Sequence, residues 1–328
     1  MSSTYNKPHL PFDQQLALLK NRGLEIGDDA LGISYLGRIG YYRLSAYLYP
    51  MRVPLISRDA STQKIKITRQ DQFIVGSKFD DALKMYVFDK RLRLLLLDAI
   101  ERIEVTFRVD ISYMLGSKDT FAHTNPCMLH GNFTKKKKSN GLTAHHEWLA
   151  KYEKVLKRSK EDFFKHYKNK YGLPLPIWVS VELWDFGMLS TFYQGMQISD
   201  KTTIAKKYGI PDFLVMESWL RTLTYIRNVA AHHSRLWNRN LVDQPKLPKI
   251  GEIKAFDSLV LDSVMVRDVS SRLYSVLCIL VYLLKVISPN SSWRDRLRDM
   301  IDQFPIIPQL SISEMGFPKE WRSHDFWQ

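Results

Sequence analysis

Cysteine is nearly absent. Cys127 and Cys278 are the only two in 328 residues, and they lie far apart. That excludes a disulfide framework and a zinc-knuckle spacing, and it fits a reducing compartment, the cytoplasm. No apolar run is long enough to span a bilayer. The longest, Val276 to Leu284, stops at Lys285 and reads as a buried core helix. The opening stretch MSSTYNKPHLPFDQQ lacks the basic-then-apolar order of a secretory signal. Low-complexity tracts and internal repeats are missing too, and the first absence argues against wholesale disorder. The histidines, His145-His146 among them, show no metal-ligand spacing, so neither a metal nor a cofactor is expected.

Positive charge is in excess. Forty-eight Lys and Arg against thirty-four Asp and Glu leave a formal +14. Such a balance points to a polyanionic partner, because cations that neutralise phosphates release condensed counterions. A membrane surface is the competing polyanion. The chain shows no strongly basic amphipathic helix with anchoring residues, so nucleic acid is favoured and no membrane partner is expected. With 45% hydrophobic residues and 12% aromatics, the chain can bury a sizeable core.

The punctuation along the chain is helical. PFDQQLALLKNRGL offers Asp13 as an N-cap and Gly23 as a stop. Residues 54–79 carry an alternating patch, Lys64-Ile65-Lys66-Ile67, which marks a short strand or hairpin insertion. From Asp80 to Leu115 there is neither Gly nor Pro, and apolar residues recur three and four apart. That spacing gives one long helix or two joined by a bend. Residues 116–146 read as a polar, basic loop that holds Lys135, Lys136, Lys137 and Lys138. Helical pattern returns over 147–171 and in IWVSVELWDFGMLSTFYQGM. A stretch without Gly or Pro then runs from Asp212 to Gln244, and a long apolar helix is expected over 257–287. The sum is an all-α protein, with an N-terminal helical region over 1–78 packed on a bundle over 79–328.

The segment YIRNVAAHHSRLWNRN, residues 225–240, concentrates three arginines, three asparagines and two adjacent histidines. On a helical grid, Trp219, Leu223, Ile226, Ala230, His233 and Trp237 form one face. This is a core stripe, with His233 as a packed structural residue. Arg221, Tyr225, Asn228, His232, Arg235 and Arg239 form another, in which every member can donate a hydrogen bond. That face suits RNA cleavage. The reaction needs a base for the 2′-OH proton, an acid for the leaving 5′-oxygen and positive charge on the phosphorane. Histidine serves either proton role near neutral pH. Arginine grips two phosphate oxygens in a planar fork. Arg227 flanks the stripe, and Asn228, one turn before His232, is placed to orient the ring. The competing reading is a solvated helix face, since an arginine four residues before a histidine arises by chance in many helical proteins.

The same residues resemble a known family. RNVAAHHSRLWNR is similar to the signature of the Abi-like proteins of the AbiD and AbiF type, bacterial abortive-infection proteins of the HEPN superfamily. Other blocks agree in order. FDQQLALLKNRGLEI and LGRIGYYRLSAYLYPMR resemble the family's N-terminal segment, and FDKRLRLLLLDAIERIEVTFR its central helix. LPIWVSVELWDFGMLSTFY resembles its third block and MGFPKEWRSHDFW its ending, so the likeness spans about residues 8–328. It implies a HEPN-type helical bundle, here with an added N-terminal helical region and a basic loop insertion. It also implies metal-independent endoribonuclease activity with Arg227, Asn228 and His232 as the motif, His233 being the alternative histidine. HEPN nucleases usually pair two motifs in one site, and this chain has one convincing copy. A homodimer is therefore implied, with Arg227 and His232 of each subunit across a two-fold axis. A toxin-like role in phage defence, restrained by a small noncoding RNA, is implied as well. Ala231 departs from relatives that often carry cysteine there, a small-for-small exchange that should leave the chemistry intact.

Arg221, Arg235, Arg239 and the four loop lysines are candidates for binding RNA backbone, although most lysine runs are merely solvated. Tyr41, Tyr42 and Arg43 could stack bases, but packing of the N-terminal helices explains them better. Glu182 and Asp185 read as structural ion-pair partners of a buried arginine. Two rival functions remain beside the nuclease: a noncatalytic protein that sequesters a small structured RNA, and a purely structural dimerisation bundle.

Overall fold

The computed structural model describes residues 8–58, 65–265 and 268–328. Two compact units divide the chain. One takes Met1–Leu92 and Met300–Glu314, the other Arg93–Asp299 and Met315–Gln328.

In the first unit, α1 (Phe12–Asn21) begins after Pro11, and Asp13 falls in its first turn rather than at its cap. Proline's fixed φ suits a helix start, which explains the shift from the expected cap. Gly23 ends the helix as expected, at φ 88. Its N–H donates to the Lys20 carbonyl, and Leu24 N–H donates to that of Leu19. Glycine adopts this left-handed turn without steric cost. α2 (Asp29–Ile39) is capped by the Asp28 side chain, which accepts from Leu31 N–H. α3 (Tyr41–Leu48) follows. Then β1 (Arg52–Arg58) and β2 (Ile65–Phe73) pair antiparallel, with Ile56 opposite Ile67. The alternating patch is thus a hairpin strand, Lys64 itself lying outside the described residues. Leu19, Leu36, Leu44 and Met51 pack this unit's interior, and buried Tyr47 donates to Asp89 at 2.6 Å.

α4 (Phe79–Gly116) is one unbroken helix of 38 residues, which decides between the one-helix and two-helix readings. From Leu96 through Ile100, Ile103, Phe107 and Ile111 to Leu115 it buries one face almost completely. The basic loop after it contains a short helix, α5 (Gly131–Thr134). α6 (Ala144–Arg158) opens with a capping box between Thr143 and His146. α7 (Asp162–Tyr171), α8 (Ile177–Ser180), α9 (Phe186–Gly195), α10 (Ile198–Lys207) and α11 (Phe213–Ala231) complete the middle of the chain. Trp148, Trp184 and Phe192 meet within 5.0 Å between ring centroids and are the aromatic centre that α6 and α9 share.

The long helix expected over 257–287 is interrupted at Arg272: α12 (Asp257–Met265) and α13 (Asp268–Ser271) lie before it and α14 (Leu273–Ile287) after it. Residues 266–267 lie outside the described residues. Arg272 is extended between the last two. The Ser271 carbonyl accepts from Leu241 N–H at 2.9 Å, and Arg272 donates to the Asn238 carbonyl at 2.8 Å. The first of these bonds occupies a carbonyl that a continuing helix would have used, and the second anchors the Arg272 side chain to the same distant segment. α14 carries the apolar run of Val276–Leu284 as a core helix. α15 (Trp293–Asp302) follows. No described helix is long and apolar enough to cross a membrane.

Candidate functional site

The motif is positioned by α11. Asp212 caps its start by accepting from Leu214 N–H, and Trp219, Leu223, Ile226 and Ala230 are buried along one face, as the spacing requires. The helix does not continue to Arg239. It stops at Ala231, and the reason is a complete C-terminal cap. His233 takes a left-handed φ of 56. Its N–H donates to the Ala230 carbonyl at 3.1 Å, and Ser234 N–H reaches back to that of Val229 at 3.0 Å. This is the Schellman pattern, with histidine where glycine is usual. The chain then turns so that Leu236 and Trp237 are fully buried. Trp237 therefore joins the core through a turn, not through the helical register.

This ending corrects the reading of His233. The ring expected in the core is exposed, and so is His232 at the cap position beside it. The structure thus displays two neighbouring imidazoles at the end of a 19-residue helix. A left-handed non-glycine residue is uncommon, and such backbone positions gather at functional sites.

The remaining motif residues are placed as follows. Arg227 is half-buried and donates to the Asn228 side-chain carbonyl at 3.4 Å. The Asn228 amide therefore faces Arg227, and its link to His232 is the backbone carbonyl, which accepts His232 N–H at 3.0 Å. That revises the expectation that Asn228 orients the imidazole. Arg239 donates to the Tyr225 hydroxyl and to the Arg235 carbonyl, both at 3.1 Å. It is brought alongside α11 by the turn. Arg221 is exposed and stands 3.7 Å from Asp243.

Sequence reading missed the surroundings of Arg227. Its charge acts on two carboxylates, Glu104 of α4 and Asp185 at the start of α9. Glu104 accepts from Arg108 at 2.6 Å, and Arg108 also donates to the Trp184 carbonyl at 2.9 Å. Burial pushes the Glu104 carboxyl above its ordinary pKa, with Arg108 and Arg227 pulling the other way. Burial also pulls Asp185 upward. There the hydrogen bonds from Lys151 and from Met188 N–H prevail, aided by the charges of Lys151 and Arg227, and hold its carboxyl below the ordinary value. Glu182 pairs with Arg108 at 3.6 Å, and Asp185 pairs with Lys151 at 2.7 Å while capping α9. Both carboxylates are thus structural partners of cations, as the sequence reading held, but Asp185 takes a lysine.

Lys135, Lys136, Lys137 and Lys138 are all exposed. Buried Phe133 packs on Gly195 and fixes the start of their loop. Lys138 pairs with Glu147 of α6. The site as a whole offers two exposed imidazoles, a half-buried guanidinium five residues before the first of them and further arginines alongside.

A family model described as Abi-like protein matches residues 34–238, from α2 through the capped end of α11. No curated protein and no solved structure matches the chain.

Proposed function

The chain belongs to the Abi-like protein family, and we propose that it is a metal-independent endoribonuclease of the HEPN type that serves in abortive infection. The family match suggests the defence role. The observation that carries the chemical reading is the exposed pair of imidazoles at the end of α11, five and six residues beyond Arg227.

In the proposed reaction a neutral imidazole takes the 2′-OH proton of RNA and the freed oxygen attacks the adjacent phosphorus. Arg227 stabilises the phosphorane, which carries more negative charge than the diester it forms from. An imidazolium protonates the departing 5′-oxygen, leaving a 2′,3′-cyclic phosphate on one product and a 5′-hydroxyl on the other. His232 is the proton carrier in this scheme. One copy of the motif cannot supply both base and acid through the same ring in a single step. Two chains related by a two-fold axis would bring Arg227 and His232 of each together, so the active species is a homodimer. A small structured RNA held on the basic surface would restrain the nuclease.

The test is to incubate purified protein with RNA in EDTA, map the product ends and measure the mass in solution. Cleavage that leaves 2′,3′-cyclic phosphate, by a species of twice the chain mass, is the expected result. Stable RNA binding without cleavage of any of several substrates would contradict it and favour the sequestering protein instead.

A further inference from the structure

α6 bridges two features that sequence reading kept apart. Glu147, Lys151, Lys154 and Arg158 recur four, three and four residues apart, so they share one face of the helix. At its start that face meets the lysine loop, where Glu147 holds Lys138. One turn on, the Lys151 ammonium lies 2.7 Å from Asp185, the carboxylate on which Arg227 acts. The Cβ-less backbone of Gly187 marks how closely the parts meet. A Cβ there would stand 3.7 Å from Thr224 of α11 and 3.9 Å from the Lys151 ammonium. Lys154 is exposed and has no ion-pair partner among the described residues.

The geometry points to a phosphate-binding track along this face of α6, in which Lys151 and Lys154 carry the backbone of an RNA strand that runs from the lysine loop past the cleavage motif. The inference rests on the RNA-cleavage reading above, since it is the strand to be cut that the track holds. Lys138 and Lys151 are about half exposed, and ion pairs in that setting are weak. A phosphate can therefore replace Glu147 or Asp185 as their partner at small cost. The track ends at Lys154. Arg158 lines a shallow hollow with Glu161 and Glu182, whose carboxylates repel a phosphate.

The experiment measures binding of a labelled 12-nucleotide single-stranded RNA between 50 and 200 mM salt, with His232→Ala in every protein so that nothing is cut. Each phosphate contact on a single strand contributes about 0.7 to the slope of log affinity against log salt. Lys151→Gln combined with Lys154→Gln should flatten that slope by about 1.4 and weaken binding at every salt tested. Arg158→Gln should leave the slope unchanged. An unaltered slope in the double variant overturns the track while leaving the cleavage site standing, and so does an equal loss in Arg158→Gln. If the His232→Ala protein with all its lysines binds no RNA at all, the nuclease reading falls and the track falls with it.

Discussion

His123 should make the fold lose stability in mild acid. The ring is fully buried, its two nitrogens have no hydrogen-bond partner among the described residues, and Tyr152 and Trp184 stand against it at 5.4 and 6.0 Å. Burial pushes its pKa down to about 4, with the charge of His145 adding to the depression and Asp119 opposing it. In the unfolded chain a histidine titrates near its ordinary value of about 6.5. Between those values the unfolded state binds the proton and the folded state does not. The ring's contribution is therefore intact above pH 6.5 and lost as the pH falls through the folded pKa of about 4. Two and a half pKa units correspond to about 3 kcal/mol in full, of which about 2 kcal/mol is lost between pH 7 and pH 5. Urea unfolding followed by tryptophan fluorescence at these two pH values measures it, because Trp184 is the ring's neighbour. His123→Leu removes the group at similar volume. His145, whose pKa burial also lowers, stays in both proteins, so the difference between them is the readout. The variant should lose about 2 kcal/mol less than the parent over this interval. Equal losses in the two proteins would refute the reasoning.

Other outcomes follow from packing and charge. Gly195→Ala would drive a methyl to within 2.4–2.7 Å of the buried Phe133 ring. It should destabilise by about 1–3 kcal/mol and weaken RNA binding by shifting the lysine loop, as a melt and a binding titration would reveal. Asp185→Ala removes the cap of α9 and the partner of Lys151, at a cost of about 1 kcal/mol in urea. Asp185→Asn keeps a capping oxygen and should recover most of it; if both variants are equally destabilised, the cap is not the cause. Arg227→Ala should slow cleavage by at least a hundredfold, with RNA affinity changed far less, because its charge is needed most when the phosphorane forms.

Much of the architecture could be read from pattern. The buried faces of α4 and α11 follow from apolar residues three and four apart, and the hairpin follows from alternation around Ile65 and Ile67. The end of α11 was hidden because its left-handed position holds His233 rather than glycine, so no local breaker announces it. The division of 257–287 depends on bonds from Leu241 and to Asn238, which no periodicity contains. The same holds for the cluster around Arg227. Glu104 and Arg108 come from α4, Lys151 from α6 and Asp185 from the cap of α9, so only tertiary packing brings them together. The candidate site was thus legible as residue types and not as surroundings.

The most direct test compares the two neighbouring histidines. Cleavage rates of His232→Ala and His233→Gly are measured in parallel on one RNA in EDTA, the glycine preserving the left-handed turn that ends α11. His232→Ala should abolish cleavage while still binding RNA, and His233→Gly should retain most of it. A His232→Ala protein that cuts as fast as the parent would contradict the assignment outright.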